Sequence, residues 1–306
     1  MNLIDQGRVS IIIPTYNGAS KLPSLMDALA VQTNRDFEIV VVVDGSTDNT
    51  LAVLEKYKLI FQRLKVIHQQ NAGRSIVRNR GVKEANGDLL IFYDDDMIPY
   101  PNSVQRHIEF YESHNQAILA GMTIELQTRD KTDIQNYKSH LSEKWLTPYT
   151  EDFTSLNFSN LLFPAANASM AKSTFIRLNG FDERLTDAED YDLAYRALEM
   201  GVPVYLDKSN KAIHQEFITA KSYIGRCRAY SKANRKLIDL HPNRRTAKPN
   251  KKNLMERTLY HFFANSLFVK MIDADTLKTI VSKKLRYKFY DIVIQACAVE
   301  FPETKL

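Results

Sequence analysis

Leu89-Leu90-Ile91-Phe92-Tyr93 is an apolar, strand-like run that ends in three consecutive carboxylates, Asp94, Asp95 and Asp96. A strand holds such acids at one edge of a sheet. There they repel one another and destabilise the fold unless solvent or a hard cation such as Mg²⁺ or Mn²⁺ takes up their oxygens. Taken alone, the triplet reads equally as an acidic turn that caps the next helix. A second acid of the same placement tips the reading towards a site. Glu38-Ile39-Val40-Val41-Val42-Val43 is a nearly uninterrupted β-branched run, the pattern of a parallel strand covered on both faces. It ends at Asp44-Gly45-Ser46-Thr47-Asp48, where Gly45 permits a tight turn and Ser46, Thr47 or Asp48 can cap the helix continued by Leu51, Val53 and Leu54.

These acids need strands to carry them, and the chain supplies a third. Val9-Ser10-Ile11-Ile12-Ile13 breaks into Pro14-Thr15-Tyr16-Asn17-Gly18, followed by a helix with Leu22, Leu25, Met26 and Leu29 on one face. Strands that end in polar turns before helices bring their carboxyl ends to one crevice in an open α/β sheet. Further along, a helix is predicted from near Asn102 through His107, Ile108 and Tyr111, and a strand over Ala117–Ile124. From about Gln127 to Phe163 no period is clear, and Trp145, Tyr149, Phe153 and Phe158 suggest an ordered insertion. Regular structure returns at Ser173–Arg177, then the turn Asn179-Gly180-Phe181-Asp182-Glu183 and a helix carrying Glu189, Asp190 and Arg196 that stops at Gly201. A short strand at Val202–Leu206 and the start of another at Ala212-Ile213-His214 precede a basic loop, 241–250, and a helical tail. The alternation argues an α/β layer fold. No GxGxxG follows the first strand and no GxxxxGK[ST] occurs, so neither a dinucleotide-binding nor a P-loop reading has its motif.

With 306 residues, 44% apolar and 25% charged, the chain has the composition of one large or two moderate globular domains. The net charge of +5 is unevenly placed: Leu206–Tyr260 holds fourteen Lys or Arg against four Asp or Glu. Such density suits phosphate groups, an anionic membrane surface or nucleic acid, or is simply a solvated face. The patterns of nucleic-acid modules are absent, and no nucleic-acid partner is expected. Cys227 and Cys297 show neither metal-ligand spacing nor a disulfide framework and read as reduced thiols of a cytoplasmic protein. The start, Met1–Asp5, lacks a signal-peptide pattern, and no apolar run approaches the ~18 residues of a membrane span.

Ile11–Asn17, Val41–Asp48, Gly73 through Arg78-Asn79-Arg80-Gly81, Phe92–Asp96, and Gly180–Glu183 followed by Glu189-Asp190 together resemble, in order and spacing, the family 2 glycosyltransferases of the GT-A fold. The resemblance covers roughly residues 8 to 220 and leaves the tail and the aromatic insertion aside. It implies a three-layer GT-A-like fold with a mostly parallel central sheet, to which the helical spacing of the tail adds a C-terminal helical extension. It further implies transfer of a sugar, with inversion, from a nucleoside diphosphate donor, usually a UDP-sugar. Asp44 looks like the aspartate that hydrogen-bonds the uracil ring, beside Gly45, with Pro14, Thr15 and Tyr16 bordering the base. Asp94 and Asp96 look like the two ends of the DxD motif: Asp96 the direct metal ligand, Asp94 or Asp95 nearer the ribose and Asp94 a second candidate ligand. Asp190 looks like the catalytic base and His214 resembles a third metal-side ligand. Mn²⁺ or Mg²⁺ is the implied cofactor.

The chemistry is consistent with these roles. Expulsion of a nucleoside diphosphate calls for a divalent Lewis acid, and an attacking hydroxyl must lose its proton to a general base. Glu189 is the rival for that base, because helix periodicity does not settle which acid points into the cleft. Arg78 and Arg74 either face the diphosphate or lie on a surface. Rival functions are a catalytically silent nucleotide-sugar or carbohydrate-binding protein and a sugar nucleotidyltransferase. The latter usually carries a Gly- and Arg/Lys-rich first loop, which Pro14–Gly18 does not provide. A catalytic domain is expected over 1–245, with the nucleotide part at about 1–100 and the acceptor part at about 101–245, and a helical extension over 246–306. The expected acceptor is a glycan or a lipid-linked saccharide, its identity not being readable from the shared motifs. In the tail, Leu254, Met255, Leu259, Phe262, Phe263 and Phe268 recur at helical spacing and are expected to pack on the catalytic domain or a second subunit. Behind a basic segment, the same stripe also suits peripheral contact with the anionic inner face of a membrane.

Overall fold

The β-branched run at 38–44 folds as an inner strand because both of its faces meet apolar side chains, and the rest of the sheet is ordered around it. The structure, a computed structural model, describes residues 9–126, 130–242 and 253–306. The readings made for Met1–Asp5, for the first residues of the insertion, for most of the basic loop and for a boundary near 245 lie outside the described residues.

The elements follow in the order β1 (Val9–Thr15), α1 (Leu22–Ala30), β2 (Glu38–Asp44), α2 (Thr50–Tyr57), β3 (Leu64–Gln69), α3 (Arg74–Glu84), β4 (Leu89–Tyr93) and β5 (Met97–Pro99). Then come α4 (Ser103–Ser113), β6 (Ile118–Glu125), α5 (Asp133–Leu146), β7 (Phe153–Leu156), β8 (Asn167–Ala171), α6 (Lys172–Arg177), α7 (Glu189–Glu199) and β9 (Val204–His214). The chain ends with α8 (Ala220–Leu240), α9 (Leu254–Phe263), α10 (Ser266–Asp273) and α11 (Lys283–Gln295). One sheet runs β3-β2-β1-β4-β8-β6-β9-β5, with β7 paired to β9. Among the described strands β1, β2, β3, β4, β6 and β9 point one way and β5, β7 and β8 the other.

Alternation along the strands builds three layers. Ile11 and Ile13 share a core with Leu22, Leu25, Met26 and Leu29 of α1, Leu54 of α2 and Val104 of α4. Ile12 and Val42 face the other side, where α3 approaches so closely that a Cβ on Gly81 would lie 2.5 Å from Ile12 Cγ2. On that side Phe92 meets Phe175 and Phe181 at 5.8 and 5.6 Å between ring centroids.

Several sequence expectations are corrected here. The two short strands read at 202–206 and 212–214 are one strand, β9, which pairs with β6 on both sides of a register shift between Gly121 and Met122. The polar residues 208–210 interrupt the apolar pattern because they have no partner on β6 at that shift, and Asn210 there is buried and accepts from Ser103 Oγ at 2.6 Å. Strand β8 escaped notice because Asn167-Ala168-Ser169-Met170-Ala171 has no β-branched residue, although every one of its residues is buried. The aromatic insertion is divided: β7 joins the sheet, whereas α5 belongs elsewhere.

Two compact units emerge, 1–126 with 147–216, and 127–146 with 217–306. The division thus falls before α8 rather than near 245, since Ile218 just before α8 and Ala220, Tyr223 and Ile224 at its start share a core with Ile272, Tyr290 and Val293. Helix α5 is held in that unit by a buried ion pair. Arg286 Nε and Nη2 donate to Asp133 Oδ2 and Oδ1 at 2.7 and 3.0 Å, and Tyr290 Oη donates to Oδ2 at 2.9 Å. Cys227 is half-buried and Cys297 buried, both as free thiols. The tail stripe is only partly packed: Phe263 and Phe268 join the core, while Leu254, Met255, Leu259 and Phe262 are exposed. Among the described residues no helix is long and apolar enough to cross a membrane.

Removing one member of a buried pair strands the other's charge. Arg286→Met is therefore expected to lower the stability of the second unit by about 3 kcal/mol in urea unfolding at neutral pH. Although burial opposes ionisation, the Arg286 and Tyr290 hydrogen bonds hold the Asp133 carboxyl below its ordinary value. Its contribution is therefore complete above about pH 4 and is lost as the pH falls through the depressed folded value. The variant should show less of this acid-side loss, and an unchanged unfolding midpoint would contradict the assignment.

Candidate functional site

From β1 the chain proceeds outward to β2 and β3 and then returns to the other side of β1 for β4, so the order reverses between β1 and β4. The carboxyl ends of strands at such a reversal form a crevice. Here β1 and β4 pair over Val9–Ile12 with Leu89–Phe92 and then part. Pro14 lies just beyond the last pair, where a residue without an N–H is tolerated. Across the opening Thr15 Oγ1 donates to Asp95 Oδ2 at 2.6 Å. Burial pushes the Asp95 carboxyl up to about 6 against the pull of Lys21 and Thr15, with Asp96 and Asp94 adding to the rise. Lys21 Nζ stands 3.4 Å from Asp95 Oδ1 and 3.9 Å from Asp96 Oδ2.

Sheet register delivers the next group. His214 ends β9 opposite Met97 of β5 and Glu125 of β6, and Gln215 N donates to Asp96 O at 2.8 Å. His214 Nε2 thereby lies 3.5 Å from Asp96 Oδ2, with Glu125 and Glu216 carboxylates 3.8 and 3.9 Å from Nδ1. Two donors on one octahedral ion at ~2.1 Å sit ~3 Å apart, so the Asp96–His214 spacing suits a shared divalent ion after a small side-chain shift. A carboxylate oxygen with an imidazole nitrogen is a donor set that Mn²⁺ accepts.

Asp94 is committed differently. Arg78, buried on α3, donates from Nη2 to Asp94 Oδ1 at 2.6 Å and from Nη1 to Glu189 Oε1. Burial disfavours its charge, yet Asp94 and Glu189 hold the guanidinium above its ordinary value. The alternative that Arg78 lies on a surface is corrected: it is buried, both terminal nitrogens serve carboxylates, and its Nε is buried without a hydrogen-bond partner. Helix α3 is fixed against the 181–187 loop by Asn79 Nδ2 to Phe181 O at 2.9 Å, Phe181 N to Asn79 Oδ1 at 2.9 Å and Ser75 Oγ to Leu185 O at 2.7 Å. Arg74 reaches Asp187 at 3.2 Å.

Glu189 and Asp190 open α7, where the positive end of the helix dipole favours carboxylates. They part there. Glu189 is buried against Arg78, whereas Asp190 is half-buried, with backbone N–H groups of Tyr191 and Ala165 at 2.7 and 3.4 Å. Burial and then the neighbouring Glu189 push the Asp190 carboxyl up to about 7, with Arg78 opposing.

Asp44, buried at the end of β2, accepts from Gln69 Nε2 and Ala72 N on Oδ1, both at 2.9 Å, and from Gly73 N on Oδ2 at 3.0 Å. Gly45 (φ 72°) turns the chain where a Cβ would lie 2.8 Å from Asn71 N. The loops after β1 and β2 are stitched by Asn17 N to Ser46 Oγ and Thr47 N to Asn17 Oδ1 at 2.9 and 2.8 Å, leaving Tyr16 51% exposed. Asp48, one of the expected caps, accepts from Thr50 N at 3.0 Å. Lys21, Glu125, Glu216 and Gln69 had no signal in the sequence, because strand pairing and loop closure alone bring them to the acids.

Residues 10–178 match the family model described as Glycosyl transferase family 2. A Bacillus subtilis (strain 168) protein, Uncharacterized glycosyltransferase YfnE, is 28% identical over 258 residues, which is 68% of this chain and 65% of that protein. Validoxylamine A glucosyltransferase of Streptomyces hygroscopicus subsp. jinggangensis (strain 5008) is 29% identical over 231 residues, 67% of this chain and 54% of that protein. The chain therefore spans somewhat less than two thirds of the first and just over half of the second. Among solved structures, S. aureus TarS 1-349 in complex with UDP superposes with a TM-score of 0.55 at 19% identity, covering 94% of this chain and 90% of that one. Mannosyltransferase PcManGT from Pyrobaculum calidifontis, in complex with GDP-Man and Mn²⁺, gives 0.63 at 16% identity, covering 97% and 88%. Both likenesses are of fold.

Because Arg78 neutralises two acids at once, Arg78→Met is expected to cost about 3 kcal/mol in thermal or urea unfolding. Arg78→Lys should recover only part of that loss, since a single ammonium does not span both carboxylates as a guanidinium does. Equal stability of wild type and Arg78→Met would show that the acids find other compensation.

Proposed function

The chain belongs to glycosyl transferase family 2, and from that premise we propose an inverting enzyme that moves a sugar from a nucleoside diphosphate, UDP in the first instance, to a hydroxyl of a glycan or lipid-linked acceptor. The observation that carries this reading is the division of labour in the crevice. Asp96 and His214 stand together beside the β1/β4 opening, while Asp190, raised to about 7 by burial and by neighbouring Glu189, makes no hydrogen bond to the Arg78 that pairs with Asp94 and Glu189. The UDP complex of the one structural neighbour and the GDP-Man complex of the other support the donor class.

Asp44 is assigned the uracil ring. Its Oδ2 accepts one hydrogen bond from the chain and retains a lone pair for a ring N–H. Pro14, Thr15, Tyr16 and Gly45 border the base, and Asp94 and Asp95 lie towards the ribose. Asp96 and His214 would hold a divalent ion, which when bound offsets the charge developing on the leaving diphosphate. Asp190 receives the proton of the attacking hydroxyl, and a carboxyl that ionises near neutrality is matched to that task. A single displacement inverts the anomeric carbon and needs no covalent intermediate, so one base suffices.

Incubated with UDP- and GDP-sugars in Mn²⁺ buffer, the protein should release nucleoside diphosphate, and Asp96→Ala should abolish release without shifting thermal unfolding. Release that is indifferent to EDTA would overturn the metal assignment, and no release from any donor would favour a silent binding protein. Asp190→Asn should lower kcat by about 10²-fold or more at unchanged donor KM. Wild-type kcat/KM should rise as the pH increases through about 7, because the ionised carboxylate is the active form. A larger loss in Glu189→Gln would move the base by one residue.

A further inference from the structure

Helix α9 is built the wrong way round for a helix that merely packs. At 100° per residue, Leu254, Met255, Leu259 and Phe262 fall within an arc of about 140°. They are 82%, 79%, 48% and 64% exposed. The side that meets the core of the second unit carries Phe263 and Ala264 instead, and no residue of α9 is buried. Leu267, at the start of α10, is 59% exposed as well. Helices of globular proteins turn the apolar arc inward, so this arc calls for a covering partner.

Charge identifies the partner. Over the described residues 253–306, seven Lys or Arg are exposed against three Asp or Glu. A second copy docked symmetrically on the same arc would set like charge against like. An anionic bilayer supplies both an apolar layer for the arc and phosphates for the cations. We propose that α9 lies in the headgroup region of an anionic membrane, with Leu254 and Met255 at the front of the inserted face. This is independent of the catalytic reading.

The full chain should pellet with vesicles of phosphatidylcholine and phosphatidylglycerol at low salt, less at high salt, and poorly with phosphatidylcholine alone. The Leu254→Glu/Met255→Glu double variant changes two solvent-exposed side chains, so its circular dichroism and unfolding midpoint should match wild type while vesicle binding falls by about tenfold or more. Met255→Trp should keep binding and, on adding the anionic vesicles, show a blue shift in emission that wild type, with Trp145 alone, lacks. Failure of the wild type to pellet, pelleting of the double variant equal to wild type, or no blue shift from the introduced indole would each overturn the proposal. So would a wild-type dimer in sedimentation velocity that the double variant dissociates, because the arc would then be covered by a second copy.

Discussion

The first unit depends on how carboxylates are held together at low dielectric. Asp94, Asp95, Asp96, Glu189 and Asp190 are brought towards one sheet edge, and without counter-charge their mutual repulsion would oppose folding. A single buried guanidinium settles most of the problem. Arg78 reaches Asp94 with one terminal nitrogen and Glu189 with the other, joining the end of β4 to the start of α7. Lys21 and Thr15 attend to Asp95. The acids so paired are structural as much as chemical, while Asp96 stands beside His214 and Asp190 accepts from the backbone N–H of Tyr191.

This arrangement explains why adjacent residues of like type behave differently. Glu189 and Asp190 are neighbours at one helix start, yet one is neutralised by an arginine and the other is raised towards 7 by burial and by Glu189. The loop after β2 follows similar logic. Asp44 organises residues 69–73 through its own carboxylate, so the same side chain that is assigned to a base also shapes the loop that would surround it.

The second unit solves a separate problem with a separate core. Its aromatic interior, with Tyr137, Tyr287 and Tyr290 in edge-to-face or tilted contact, is reached by a segment more than a hundred residues away in sequence. The Asp133–Arg286 pair pins that segment in register. The insertion seemed without period because its two halves answer to different partners: α5 follows the helical core, and β7 follows the edge of β9.

Strand ends, turns and the leading helices were legible in the sequence, because β-branched runs, Gly45 and the Leu22–Leu29 stripe express local preferences that the tertiary structure only reinforces. The order of motifs was legible for the same reason, and it identified the family. Three things were not. Strand β8 is buried by its neighbours rather than by its own composition, β9 continues through a polar bulge that only its pairing with β6 bridges, and the tail stripe faces outward because Phe263 and Ala264 are what the core accepts. Which acid is neutralised, how closely His214 approaches Asp96 and which carboxyl titrates near neutrality depend on distances between residues up to 118 positions apart, as for Asp96 and His214. The order of residues along the chain determines the chemical types and their local geometry. Coulomb energies and desolvation depend on separation and burial through space, so only the folded sheet could decide which of those types meet.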